Sequence, residues 1–272
     1  MVRVLSAAVL VALLVITIWW LPSWATLGLA VIAAAMGGAE FATLARATGA
    51  DVPPAWPAAA AGIACAALAH ADTVFTSGSS GALLVAFVVM AATVGGALMT
   101  LATSTPGASA FARPAATVMA AAYVGLPLGA AAWIRETAGP APLTWLVAVI
   151  ALSDSAQYYT GRAFGRRKLA PVVSPGKTVE GAIGGVVVAA AAGPALATLW
   201  LPGTPILEAA IVAILLAGFG MAGDLFESLL KRSAGVKDSG TLIPGHGGIL
   251  DRVDAILFAA PMFYIYLRLA VP

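Results

Sequence analysis

Most of the residues able to do chemistry fall between positions 223 and 254. Gly223-Asp224 is followed by Glu227, Ser228, Lys231 and Arg232, then by Lys237-Asp238-Ser239-Gly240. Pro244-Gly245-His246-Gly247-Gly248 comes next, and Asp251-Arg252-Val253-Asp254 closes the array. Asp224 and Ser228 are spaced to share one helix face, and Asp251 and Asp254 another. The glycines between them let backbone approach a ligand closely. Carboxylates from two helix ends, opposite a loop of Lys and Arg, suit a magnesium–polyphosphate site. Mg²⁺ takes one or two carboxylates and completes its shell with water and phosphate oxygens. The cations would neutralise charge at a transferring phosphorus. Asp224, Asp251 and Asp254 are the expected metal ligands.

Two upstream motifs look related. Ser153-Asp154-Ser155-Ala156-Gln157-Tyr158-Tyr159-Thr160-Gly161-Arg162 closes one apolar run, and Ser174-Pro175-Gly176-Lys177-Thr178-Val179-Glu180-Gly181 enters the next. Ser174-Pro175-Gly176 reads as a turn, with Lys177 and Thr178 at a helix start, where backbone N–H groups, a lysine and a hydroxyl suit phosphate. The stretch lacks the upstream glycine of a Walker A loop. An ordinary turn before a capped helix accounts for it equally well.

What must position these residues is a set of apolar helices. The chain has 272 residues, 61% hydrophobic and 10% charged, whereas a soluble domain carries about a quarter charged residues. Nine apolar runs, roughly 4–20, 24–45, 56–71, 82–102, 112–134, 142–160, 179–200, 205–230 and 249–270, approach the ~20 residues that a spanning helix needs. They show no strand-like alternation, which argues against an outer-membrane barrel. The expected fold is therefore all-α, a multi-pass transmembrane helix bundle of about nine spans. The first run follows Arg3 like a signal peptide, but no small-x-small cleavage site follows, so it is read as retained. Residues 1–140 would form N-terminal transmembrane helices and 141–272 the C-terminal helices with the motifs, in one membrane domain overall. The single cysteine, Cys65, rules out an intrachain disulfide.

The first half is chemically quiet. Gly37, Gly38, Gly95 and Gly96 are expected to let helices approach. Glu40, near Arg46, reads as a snorkelling side chain, and His70 and Asp72 as solvated. Asp154, Glu180, Asp224, Glu227, Asp251 and Asp254 instead lie at or inside expected spans, where an ionisable group points to function. Ten of the fourteen basic residues lie from Arg162 onward, mostly in two loops. The positive-inside rule puts both loops, with Arg3, Arg46 and Arg113, in the cytoplasm, and Arg135 and Arg268 outside. That rule explains the number of charges but not the carboxylates among them.

The stretch Ser228-x-x-Lys231-Arg232, then Lys237-Asp238, then Ile243-Pro244-x-His246-Gly247-Gly248-Ile249-x-Asp251-Arg252-Val253-Asp254 resembles the signature of the phosphatidate cytidylyltransferase (CDP-diacylglycerol synthase) family. Asp154…Gly161-Arg162 and Ser174-Pro175…Glu180-Gly181 resemble that family's upstream motifs, so the likeness covers about residues 150–260. Gln157 departs from a frequent Ala and Gly176 from a frequent Lys; the second removes one phosphate contact. The resemblance implies CDP-diacylglycerol and pyrophosphate made from CTP and phosphatidic acid, with Mg²⁺ and a second cation such as K⁺. It implies a reacting centre of Asp224, Lys231, Arg232, Lys237, Asp238, His246, Asp251, Arg252 and Asp254. Ser174, Lys177, Thr178, Ser228, Gly247 and Gly248 would bind the nucleotide. Lys231, Arg232, Lys237 and Arg252 would face the CTP phosphates and the lipid head group, while His246 orients a phosphate or holds the loop.

The expected partners are CTP, phosphatidic acid and membrane lipid, with no nucleic acid. A homodimer stays open. The expected location is a bacterial-type inner membrane, with the active site facing the cytoplasm. Two other functions fit parts of the pattern. A lipid kinase using CTP as phosphate donor needs the same metal and cations. A secondary transporter would break its helices at the midplane and have similar halves; here the polar zone lies at one face and the halves differ.

Overall fold

The structure is a computed structural model, and it describes residues 2–71, 80–104, 107, 109–241 and 247–270. Asp72 and His246 lie outside the described residues. Each of the nine apolar runs folds as helix: α1 Val2–Trp19, α2 Ser23–Ala47, α3 Ala55–Ala69, α4 Ser80–Thr103, α5 Ser109–Ala138, α6 Pro140–Phe164, α7 Val179–Trp200, α8 Ile206–Ser233 and α9 Leu250–Ala270. Among the described residues, six of them (α2, α4, α5, α7, α8 and α9) are long and apolar enough to cross a bilayer. With its 15 residues, α3 is only ~22 Å long against a hydrocarbon core of ~30 Å. The polar residues from Asp154 to Arg162 occupy the last turns of α6. The protein is a multi-pass membrane protein.

Large apolar side chains line the outer surface as well as the interior. Leu101 is 80% exposed and Phe111 85%, as suits helices solvated by lipid. Between helices in lipid, packing and hydrogen bonds replace the drive from water release. One core cluster joins Trp145 and Leu146 of α6, Leu216 of α8 and Phe263 of α9. Trp145 Nε1 donates to the Gly193 carbonyl of α7 at 2.9 Å, which satisfies the one polar atom of a fully buried indole. A second cluster ties Phe41 of α2, Cys65 of α3 and Val124 of α5 to Leu250 and Leu257 of α9. The helix that carries Asp251 and Asp254 is thus packed against both halves of the chain.

Two local features shape the site. α5 contains a π-helical turn over Ala121–Gly125, and its buried Tyr123 meets Phe41, Phe226 and Phe258 ring to ring. Between α6 and α7 lies an antiparallel hairpin, β1 Lys168–Ala170 and β2 Ser174–Thr178, with Lys168 opposite Thr178 and Ala170 opposite Ser174. Ser174-Pro175-Gly176 is therefore strand, and the chain reverses before it. Glu180 secures the hairpin by accepting the backbone N–H groups of Arg166, at 2.9 Å, and Arg167. Thr178 caps α7, its hydroxyl accepting from the Gly181 N–H at 3.1 Å.

Candidate active site

The C-terminal ends of α6 and α8 and the N-terminal ends of α7 and α9 meet at one end of the bundle. Gly223 sets how closely α8 and α9 approach, because a Cβ there would run into the Asp254 carbonyl oxygen. This brings Asp224 and Asp254 to one cavity of about 370 Å³, which Asp154, Gln157, Asp251 and Arg252 also line. A second cavity, of about 440 Å³, lies against the hairpin and is lined by Arg162, Ser174, Lys177 and Thr178. Asp154 and Gln157 belong to the walls of both. Lys177 lines the hairpin cavity, and its ammonium stands 2.6 Å from Asp224 Oδ2 in the other. Ser228 Oγ donates to Asp224 Oδ1 at 3.3 Å, as their helical spacing predicts.

Asp251, expected as a metal ligand together with Asp224 and Asp254, lines the same cavity but is differently engaged. Its Oδ1 accepts from the Lys231 ammonium at 2.6 Å. Its Oδ2 accepts the backbone N–H groups of Ser239 (2.9 Å) and Gly248 (2.8 Å), with Ser239 Oγ at 3.0 Å. Asp251 therefore binds the chain between α8 and α9 to the start of α9. Gly247, at φ +76° and packed against the Asp251 carboxylate, takes a backbone shape that favours glycine. Lys231 is buried and also pairs with Glu227 Oε2 at 3.1 Å. Glu227 is wholly buried, and its Oε1 has no hydrogen-bond partner among the described residues. Arg232, Lys237 and Asp238 are exposed, and Arg232 donates to the Val236 carbonyl at 3.0 Å.

Three residues outside the expected site belong to this architecture. Asp154 lines both cavities; its place in a polar motif at the end of α6 marked it, although no metal role was assigned to it. Glu227 forms the buried pair with Lys231. Glu40, in the quiet half, reaches the opposite end of the sequence: its carboxylate accepts the N–H groups of Ile249 and Leu250. No periodicity could have signalled that contact.

A divalent cation fits the donor chemistry here. The carboxylates of Asp154, Asp224 and Asp254 supply oxygen only, as a hard cation needs. Among the described residues no group of three or more His, Cys, Asp or Glu side chains is placed to hold a metal ion by itself. Magnesium does not require one, since water and substrate phosphates fill most of its shell.

Residues 1–270 match the cytidylyltransferase family. The chain belongs to that family. It is 42% identical over 158 residues to the phosphatidate cytidylyltransferase of Bacillus subtilis (strain 168), which covers 56% of this chain and 57% of that protein. It is 46% identical over 137 residues to the phosphatidate cytidylyltransferase of Brucella suis biovar 1, covering 48% of each. It is 45% identical over 124 residues to the uncharacterized protein YnbB of Escherichia coli K12, covering 46% of this chain and 41% of that one. The chain thus spans about half the length of the curated relatives it matches.

Proposed function

We propose that the protein transfers the cytidylyl group of CTP to phosphatidic acid, giving CDP-diacylglycerol and pyrophosphate. The observation that carries this reading is the convergence of three separate motifs on the joined cavities. Asp154 comes from the first, Lys177 from the second, and Asp224, Arg252 and Asp254 from the third. The named relatives support the same substrates.

In this reaction an oxygen of the phosphatidic acid phosphate attacks the α-phosphorus of CTP. The bond from that phosphorus to the oxygen bridging to the β-phosphate breaks, and pyrophosphate departs with the electron pair. The nucleophile is already anionic near neutral pH, so the protein's work is alignment and charge neutralisation. Lys177 and Arg252 supply positive charge beside the polyphosphate, and Ser174 and Thr178 offer hydroxyls along the hairpin cavity. Asp154, Asp224 and Asp254 would hold Mg²⁺, which when bound neutralises phosphate charge and favours pyrophosphate departure. Asp251 holds Ser239 and Gly248 at the start of α9 and so fixes where Arg252 and Asp254 stand. K⁺ is the candidate second cation. The site faces the cytoplasm of a bacterial-type inner membrane, because its loops carry Arg166, Arg167, Lys168, Arg232 and Lys237 on one side.

The test uses purified protein with phosphatidic acid, Mg²⁺ and CTP labelled at either the α- or the γ-phosphorus, with and without K⁺. Cytidylyl transfer moves the α-label into lipid and leaves the γ-label in pyrophosphate. γ-Label in lipid would instead show a CTP-dependent kinase.

A further inference from the structure

Glu40 sits in α2 with no chemical motif around it, yet three donors converge on its carboxylate. Oε1 accepts the N–H of Ile249 at 2.9 Å, and Oε2 accepts the N–H of Leu250 at 3.0 Å and the Ser239 hydroxyl at 2.8 Å. The first N–H groups of a helix have no partner within it, and a carboxylate at that end gains from the helix dipole. Such caps ordinarily come from the residues just before the helix. At the start of α9 the carboxylate comes from 209 positions away. Ser239 is gripped from the other side by Asp251, which takes its backbone N–H and approaches its hydroxyl.

The glycines of this region make room for the carboxylate. A Cβ at Gly240 would lie 2.7 Å from Glu40 Oε1, and one at Gly248 would collide with Oε2 and with the Ser239 hydroxyl. A side chain that merely snorkels to the interface would make no such demand on two glycines. Glu40 and Asp251 together form a clamp, one carboxylate from each half of the chain, closed on Ser239 and the start of α9.

We propose that Glu40 is a positioning residue for the transfer reaction: by capping α9 from α2 it fixes the helix start on which Arg252 and Asp254 reach the cavity. The kinetic part of this inference rests on the proposed cytidylyl transfer; the clamp itself does not. The experiment compares the wild-type protein with Glu40→Ala, Glu40→Gln, Glu40→Asp and Gly248→Ala. Backbone hydrogen exchange over residues 247–252 is measured without metal or nucleotide, and kcat and KM for CTP are measured separately. Exchange there should rise about tenfold or more in Glu40→Ala, with the other helices unchanged, as expected for lost hydrogen bonds. Glu40→Gln keeps one accepting oxygen but turns its NH₂ toward the other donors, so it should lose part of the protection. Glu40→Asp keeps the charge and should recover part of the protection. Across the series kcat should fall by about tenfold or more, exceeding any rise in KM, and Glu40→Asp should again be intermediate.

Gly248→Ala leaves Glu40 in place but crowds it, so exchange should rise there too. In the Glu40→Ala background the added methyl should do less than in the wild-type protein, because only its contact with the Ser239 hydroxyl remains. Unchanged exchange in Glu40→Ala, or raised exchange with unchanged kcat in every variant, would overturn the positioning role. If the wild-type protein made no liponucleotide, the functional reading would fall, and the exchange results alone would decide whether the clamp exists.

Discussion

Lys177 Nζ lies 2.6 Å from Asp224 Oδ2, so a strand of the hairpin is tied to the end of α8 by a partly buried ion pair. The contact joins the two cavities and unites motifs that the sequence keeps apart. Replacing Lys177 by Met should lower kcat/KM for CTP by about a hundredfold, and Asp224→Asn should do the same. Because the pair acts as a unit, the double variant should be little worse than the poorer single variant. Fully additive losses in the liponucleotide assay would show that the two residues act independently.

Lys231 presents a different expectation. Its ammonium is buried between Glu227 and Asp251, and removing it leaves two carboxylates without their cation. Breaking a buried pair in this way costs about 3–5 kcal/mol. Lys231→Ala should therefore sharply lower the thermal midpoint of the purified protein, while Arg232→Ala, at an exposed position, should barely move it. Equal midpoints for the two variants would remove Lys231 from the buried network and return it to phosphate binding.

Gly223 tests how the helices are set. A Cβ at Gly223 meets the Asp254 carbonyl oxygen, whereas one at Gly218, on the same helix, meets nothing within 4 Å. Gly223→Val should push α8 from α9, lowering both thermal stability and activity. Gly218→Ala should leave both near the wild-type values. Matching behaviour of the two would mean that close approach at Gly223 is not required.

The helical frame was legible because apolar runs have little choice in a membrane: the run 82–102 is α4 and the run 179–200 is α7. That Asp224, Asp251 and Asp254 lie near one another was legible from helical spacing and a glycine-containing loop, but not that the Asp251 carboxylate is taken up by Lys231, Ser239 and Gly248. The hairpin was not, since Pro175 and Gly176 signal a turn and two short polar strands have no periodicity to read. Lys231 looked like a loop cation, because sequence does not show that its ammonium turns inward to Glu227 and Asp251. Glu40 has the sequence setting of a snorkelling side chain, because local pattern holds no information on a partner at residue 249.

Orientation can be checked with single cysteines in a Cys65→Ala background, Cys65 being buried. Val172, 88% exposed on the hairpin, and the exposed Lys237 are suitable positions. Ser239 is not, because its hydroxyl serves the clamp. Both cysteines should resist an impermeant thiol reagent in intact cells and react after lysis. Labelling of either in intact cells would invert the proposed topology.

The most direct measurement is the rate of α-label transfer from CTP to phosphatidic acid across a range of Mg²⁺ concentrations, in the wild-type protein and in Asp254→Asn. Asp254 lines the cavity with Asp154 and Asp224, and Asn keeps its size while removing its charge. Loss of one metal ligand should slow transfer by about a hundredfold or more and raise the Mg²⁺ needed for half-maximal rate, with the thermal midpoint little changed. Near-normal transfer by Asp254→Asn with unaltered Mg²⁺ dependence would contradict a carboxylate-held cation at this cavity.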